Sequence, residues 1–195
     1  MDYETSYILN RVQIRAISQF FRKMFKVKTT LFPVMKVLED LVIKFADVLY
    51  YSVEQDETFD SNVMAYLEPQ EDGTYCIKIR QSVYVNAING DGASLGFICH
   101  EMCHFVLIHI FGIGPKIYED FNGIKYARSV KEKEILPYES MEWQAKALCG
   151  EVMIPYEVCK NCSLEEIIKM TQSSTEQAKY FLTHVVVENE EEIEK

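Results

Sequence analysis

In Ile98-Cys99-His100-Glu101-Met102-Cys103-His104-Phe105-Val106-Leu107 a His-Glu-x-x-His pattern is set inside an apolar run. The run reads as a buried helix. A helix repeats about every 3.6 residues, so His100 and His104 project from one face, a turn apart. Two imidazoles at that spacing can grip one Zn2+ without bending the backbone. Glu101, beside the first histidine, is placed to meet water at such a metal as a general base. A zinc site needs a third protein ligand as well. The extended pattern with a further His six residues on is absent: Ile110 stands there, and Leu107 replaces the glycine that pattern requires. His109 falls about 140° around the helix from His104 and is expected to point elsewhere.

The third ligand must come from downstream. Ser140-Met141-Glu142-Trp143-Gln144-Ala145 opens a second helical pattern that runs on to Pro155. Ala145, Leu148, Cys149 and Val152 share one face of it. Glu142 lies three residues before Ala145, near that face, where an unpaired carboxylate is costly unless it is hydrogen-bonded or metal-bound. Ser140 is the expected N-cap, and Pro155 stops the helix.

The two stretches together, His100-Glu101-x-x-His104 and then Glu142-Trp143-Gln144-Ala145-x-x-Leu148-Cys149-x-x-Val152-Met153-Ile154-Pro155, resemble the ImmA/IrrE family of metallopeptidases over about residues 35–185. The first motif is common among zincins. The second, following the first, is much more specific. The resemblance implies zinc held by His100, His104 and Glu142, with Glu101 activating water. It also implies a protein substrate, a helix-turn-helix repressor of a phage or mobile element. Cys103 stands where the family often has Gly, and Leu148-Cys149 where it usually has Phe-Ala. The separation from His104 to Glu142 is long.

The expected architecture is α+β. A zincin-like single domain (residues 1–187) has a sheet of about three strands packed on the metal helix and the second ligand helix. Residues 1–30 of that domain are its N-terminal helical extension, and an acidic, frayed tail (188–195) follows it. In the extension, Ile8, Val12, Ala16, Phe20 and Met24 are read as the apolar stripe of a helix over residues 5–25, with Leu9, Ile17 and Phe21 flanking it. Arg11, Arg15, Arg22 and Lys23 are read as its solvated face. A second helix is expected to begin near Pro33, with Met35, Leu38, Leu41, Val42 and Phe45 as its stripe. A strand follows at Val48–Val53, then a hairpin of Asn62–Leu67 and Thr74–Arg80 turning at Gln70–Gly73. Asn89-Gly90-Asp91-Gly92 is a turn ahead of the metal helix, and Gly112, Gly114 and Pro115 end that helix. Residues 115–137 form an excursion able to cover a cleft, with Lys131–Glu134 solvated. Ser163–Glu166 is a capping-box start, and Ser174–Val187 the last helix.

A net charge of −10 argues against direct nucleic-acid binding while leaving a basic protein partner open. The acidic start, Met1-Asp2-Tyr3-Glu4-Thr5, has no signal-peptide pattern, and no apolar run is read as membrane-spanning. The expected location is therefore cytoplasmic, away from membranes. Six cysteines in a chain of 195 residues are read as free thiols, with Cys99, Cys103 and Cys149 on buried faces. Cys159-Lys160-Asn161-Cys162 lacks the second pair that would complete a zinc ribbon. The expected activity is zinc-dependent peptide hydrolysis. The alternatives are a zinc-bound regulator that binds without cutting and a metal-free structural module. Tyr84, Tyr126, Tyr138 and His184 are oxyanion donors by residue type only.

Overall fold

The structure, a computed structural model, describes residues 2–120, 123–126 and 135–186. A mixed sheet is built on β3 (Tyr75–Arg80), which lies between β1 (Leu49–Glu54) and β2 (Ala65–Pro69). β1 runs parallel to β3 from Leu49 opposite Tyr75 to Glu54 opposite Arg80. β2 is antiparallel to β3 from Ala65 opposite Ile79 to Pro69 opposite Tyr75, so it forms an edge. On β3, Ile77 and Ile79 are fully buried, while Lys78 on the other face pairs with Glu68 at 2.9 Å. The β2–β3 turn needs Gly73, whose φ is +85°.

Helices pack on the sheet and on one another. α1 is Arg11–Met24 and α2 is Val34–Lys44. α3 (Gln81–Ile88) follows β3 directly and has no counterpart among the sequence expectations. α4 is Gly92–Phe105, α5 is Met141–Met153, and α6 (Tyr156–Cys159), α7 (Leu164–Thr171) and α8 (Thr175–Tyr180) close the described chain. Asp91 caps α4 by accepting from Ser94 N at 2.8 Å, and Ser140 caps α5 by accepting from Trp143 N at 2.9 Å. Capping boxes start α1 (Asn10 with Gln13), α7 (Ser163 with Glu166) and α8 (Ser174 with Gln177). α4 continues as a π-helical turn over Val106–Ile110, and α8 as another over Phe181–Val186. A hairpin of β4 (Ile117–Asp120) and β5 (Gly123–Tyr126) lies within the 115–137 excursion. The expectations for Lys131–Glu134 and for the 188–195 tail lie outside the described residues.

Three expectations need correction. First, α1 begins at Arg11, and its buried face is Arg11, Ile14, Ile17, Ser18 and Phe21. Ile8, Val12 and Phe20 of the expected stripe are exposed. Second, the arginines are not a solvated face. Arg15 pairs with Glu151 at 3.3 Å and lies over the Tyr156 ring. Arg22 donates to the carbonyls of Val152, Thr29 and Thr30, and Arg11 lies over the Trp143 ring. α1 is thus docked on α5, and its buried apolar residues Ile14, Ile17 and Phe21 belong to an apolar cluster that also holds residues of α4 and α5. Third, the helical run Gly92–Ile110, with mean hydropathy 1.4, is long and apolar enough to cross a membrane by length and composition. Two thirds of it is buried within the fold (67%), against the sheet and the other helices.

Candidate metal centre

α4 presents His100 and His104 one turn apart, and α5 brings Glu142 to meet them from its first turn. His104 Nε2 is 3.1 Å from His100 Nε2 and 3.1 Å from Glu142 Oε1. His100 Nε2 is 3.3 Å from Glu142 Oε2. These three are the group of potential metal ligands found among the described residues. The fit to zinc can be tested by distance. Zinc–ligand lengths of about 2.0–2.2 Å in a tetrahedron set ligand atoms about 3.3–3.6 Å apart, close to the observed spacings. The donor set, two imidazoles and a carboxylate, also suits that ion.

Hydrogen bonds link Glu142 to both histidines. Hydrogen bonds from His100 and His104 hold the Glu142 carboxyl well below the usual carboxylate range. Burial lowers the His100 pKa, but the hydrogen bond to Glu142 and the charges of Glu101 and Glu142 outweigh it, and the net shift is upward. A divalent ion competes for these protonation sites.

Glu101 is buried between the cluster and the sheet. Its Oε2 accepts from the outward-facing Leu67 N of β2 at 2.8 Å. Burial pushes the Glu101 carboxyl above its ordinary range, while the nearby His100 and His104 and the Leu67 N–H pull it back. The sheet edge and the histidine helix therefore meet at this carboxylate.

Asp2 is a residue of this site that sequence reasoning missed. Residues 2–6 lie extended between the segment that follows α4 and the start of α5, with bridges from Glu4 to Ser140 and from Thr5 to Pro115. Asp2 Oδ1 accepts from Glu142 N at 3.2 Å, and Asp2 Oδ2 accepts from Ser140 Oγ at 2.5 Å. Met141 N donates to Tyr3 O at 3.0 Å. An acidic residue at the head of the chain signals nothing by itself, because the contact depends on tertiary placement.

The remaining candidates lie elsewhere. The His109 ring stacks on Phe105, Tyr84 stacks on Tyr51, and His184 stacks on Tyr180. Tyr138 is exposed, and the Tyr126 side chain lies outside the description. All six cysteines are free. Cys99, Cys103 and Cys149 are buried behind the histidines, while Cys162 donates weakly to Val158 O. Comparison of this chain with family models, curated proteins and solved structures returned no match.

Proposed function

We propose that this chain is a zinc-dependent endopeptidase of the zincin type, related to the ImmA/IrrE metallopeptidases that its two motifs resemble. The observation that carries this reading is the convergence of His100, His104 and Glu142 within one coordination radius, beside the buried base Glu101. A zinc ion held there supplies Lewis acidity, making water acidic near neutral pH and polarising a carbonyl. Glu101 takes the proton as water attacks the peptide carbonyl and passes it to the leaving amine. Its burial-raised pKa suits a group that must both accept and release a proton.

The β2 edge supplies the positioning. Leu67 N–H turns away from β3, so the outer backbone of β2 lies beside Glu101. An extended peptide added along that edge would bring a carbonyl to the centre. The substrate proposed is a helix-turn-helix repressor. A chain of net charge −10 favours such a basic partner over nucleic acid itself.

The test pairs elemental analysis with a cleavage assay on internally quenched peptides. The wild type should hold about one zinc per chain, and Glu142→Ala should lose most of it. Glu101→Gln should keep the zinc and lose cleavage by at least about 100-fold. Zinc retained in full by Glu142→Ala would place the third ligand elsewhere. Zinc bound with cleavage absent from the wild type would favour the regulator that binds without cutting.

A further inference from the structure

A cleft of about 550 Å3 opens between the second half of α1, the turn at 26–28 and the corner at 155–158 where α5 gives way to α6. Its lining is cationic in a chain of net charge −10, with Arg22, Lys23, Lys26 and Lys28 all facing it. None of these four has a carboxylate partner among the described residues. Arg22 donates to the carbonyls of Val152, Thr29 and Thr30, which leave its charge unneutralised. The two carboxylates of the lining are already taken, Glu151 by Arg15 at 3.3 Å and Glu157 by Lys160 at 2.8 Å. We propose that this cleft binds an organic phosphate, a small molecule carrying two or more phosphate charges on a partly apolar body. The inference stands apart from the peptidase reading and needs no metal at His100, His104 and Glu142.

Two details separate this cleft from a merely basic surface. Ser18 lines it and is only 2% exposed, and its hydroxyl makes no hydrogen bond to any described residue. A buried hydroxyl normally finds a partner, and a phosphate oxygen at the floor of the cleft would supply one. Lys26 is the other. Its φ is +53°, in the left-handed region where helices commonly stop on glycine. The stop itself is regular: Lys26 N donates to Lys23 O at 3.0 Å and Val27 N to Arg22 O at 2.9 Å. Glycine would make the same two bonds without the steric cost of a Cβ, so the turn gives no reason for a lysine. An ammonium at the cleft does.

Size and charge select the occupant. A space of this volume suits a small molecule. A phosphate group carries close to two charges at neutral pH and has three strong acceptor oxygens, so it can meet several cations and a hydroxyl at once. Val27, Pro155 and Val158 leave apolar surface for the rest of the molecule. Burial pulls the Arg22 guanidinium below its ordinary range, and an anion beside it would favour the charged form. Bound there, the ligand ties α1 to the corner between α5 and α6.

The test is calorimetric titration of the full chain, zinc-loaded and metal-free, with ADP and with adenosine as the uncharged control. ADP should bind both forms at least about 100-fold more tightly than adenosine. Its affinity should fall as salt rises, and its binding should raise the melting temperature. Lys26→Gly should melt higher than the wild type, because the left-handed strain is gone, yet bind ADP about tenfold more weakly. Ser18→Ala, which removes only a hydroxyl, should weaken ADP in the same direction. ADP bound no more tightly than adenosine, or an ADP affinity untouched by both substitutions, overturns the proposal. Binding confined to the zinc-loaded chain would place ADP on the metal centre and overturn it too. Octaglutamate bound as tightly as ADP overturns it in favour of an acidic peptide. Phosphatidylserine vesicles bound while ADP is not overturn it in favour of a membrane surface.

Discussion

Asp2 accepts a hydrogen bond from the backbone nitrogen of Glu142 at 3.2 Å, across 140 positions of sequence. The contact places an anion at the N-terminus of α5, where the free N–H groups and the helix dipole favour negative charge. It also fixes the first turn that aims Glu142 at His100 and His104. Asp2→Ala should weaken zinc binding about tenfold, read by competition with a chromophoric chelator. Asp2→Asn, which keeps an acceptor, should recover most of that loss. The metal-free protein should lose about 1 kcal/mol with Asp2→Ala. Unchanged zinc affinity in the alanine variant would mean that Glu142 is held without this clasp.

The two histidines of the candidate site could be read from sequence because they are local. His100 and His104 are joined by helical periodicity, and Glu142 by the cost of an inward-facing carboxylate. What could not be read depends on distant partners. Asp2 matters only because α5 begins beside it. The face of α1 was ambiguous because its apolar residues surround the helix. Ile14, Ile17 and Phe21 turn inward, and beside them Arg15 and Arg22 meet Glu151 and the Val152 carbonyl on α5. α3 gave little signal because only Val83 and Ala87 of its eight residues are buried. The sheet was easier to anticipate. Ile77 and Ile79 alternate with Lys78 in the period of a half-exposed strand, and Gly73 marks the turn before it.

The cap of α4 gives a pH-dependent prediction. Hydrogen bonds from the Ser94 side chain and backbone hold the Asp91 carboxyl below its ordinary range. A depressed folded-state pKa means stability that is present above the unfolded value of about 3.9 and is lost as pH falls through the folded value. Asp91→Ala should therefore cost about 1 kcal/mol at pH 7 in urea melts. That gap should hold down to about pH 5 and narrow below about pH 3. A gap that stays constant to pH 2 would show that charge on Asp91 contributes nothing to the cap.

The docking of α1 predicts that residues 1–30 are part of the fold rather than an appendage. Ile14 and Phe21 are fully buried, and Ile17 is nearly so. Losing side chains of that kind costs about 2–5 kcal/mol each, which together rivals the whole stability of a domain. A chain lacking residues 1–30 should show no cooperative thermal transition by circular dichroism. The single substitution Arg22→Ala should cost about 2 kcal/mol, because it strands carbonyls that the guanidinium now satisfies. A truncated chain that melts cooperatively near the full-length temperature would refute this packing.

Three glycines should respond to alanine in opposite directions. At Gly92 a Cβ would lie 2.4 Å from Gln172 O and 2.7 Å from Ser174 N, both backbone atoms. α4 and the 172–174 link would have to move apart, at a cost of about 1–3 kcal/mol. At Gly96 the obstacle is the end of the Gln177 side chain, which can swing away. That swing gives up the bond from Ser174 N to Gln177 Oε1, so the loss should be about 1 kcal/mol. At Gly150 the space is open and the residue is inside α5, so alanine should add about 0.5–1 kcal/mol through helix propensity. Thermal melts should therefore rank Gly150→Ala above the wild type, then Gly96→Ala, with Gly92→Ala lowest. A Gly92→Ala variant as stable as the wild type would contradict the close approach of the 172–174 backbone to the start of α4.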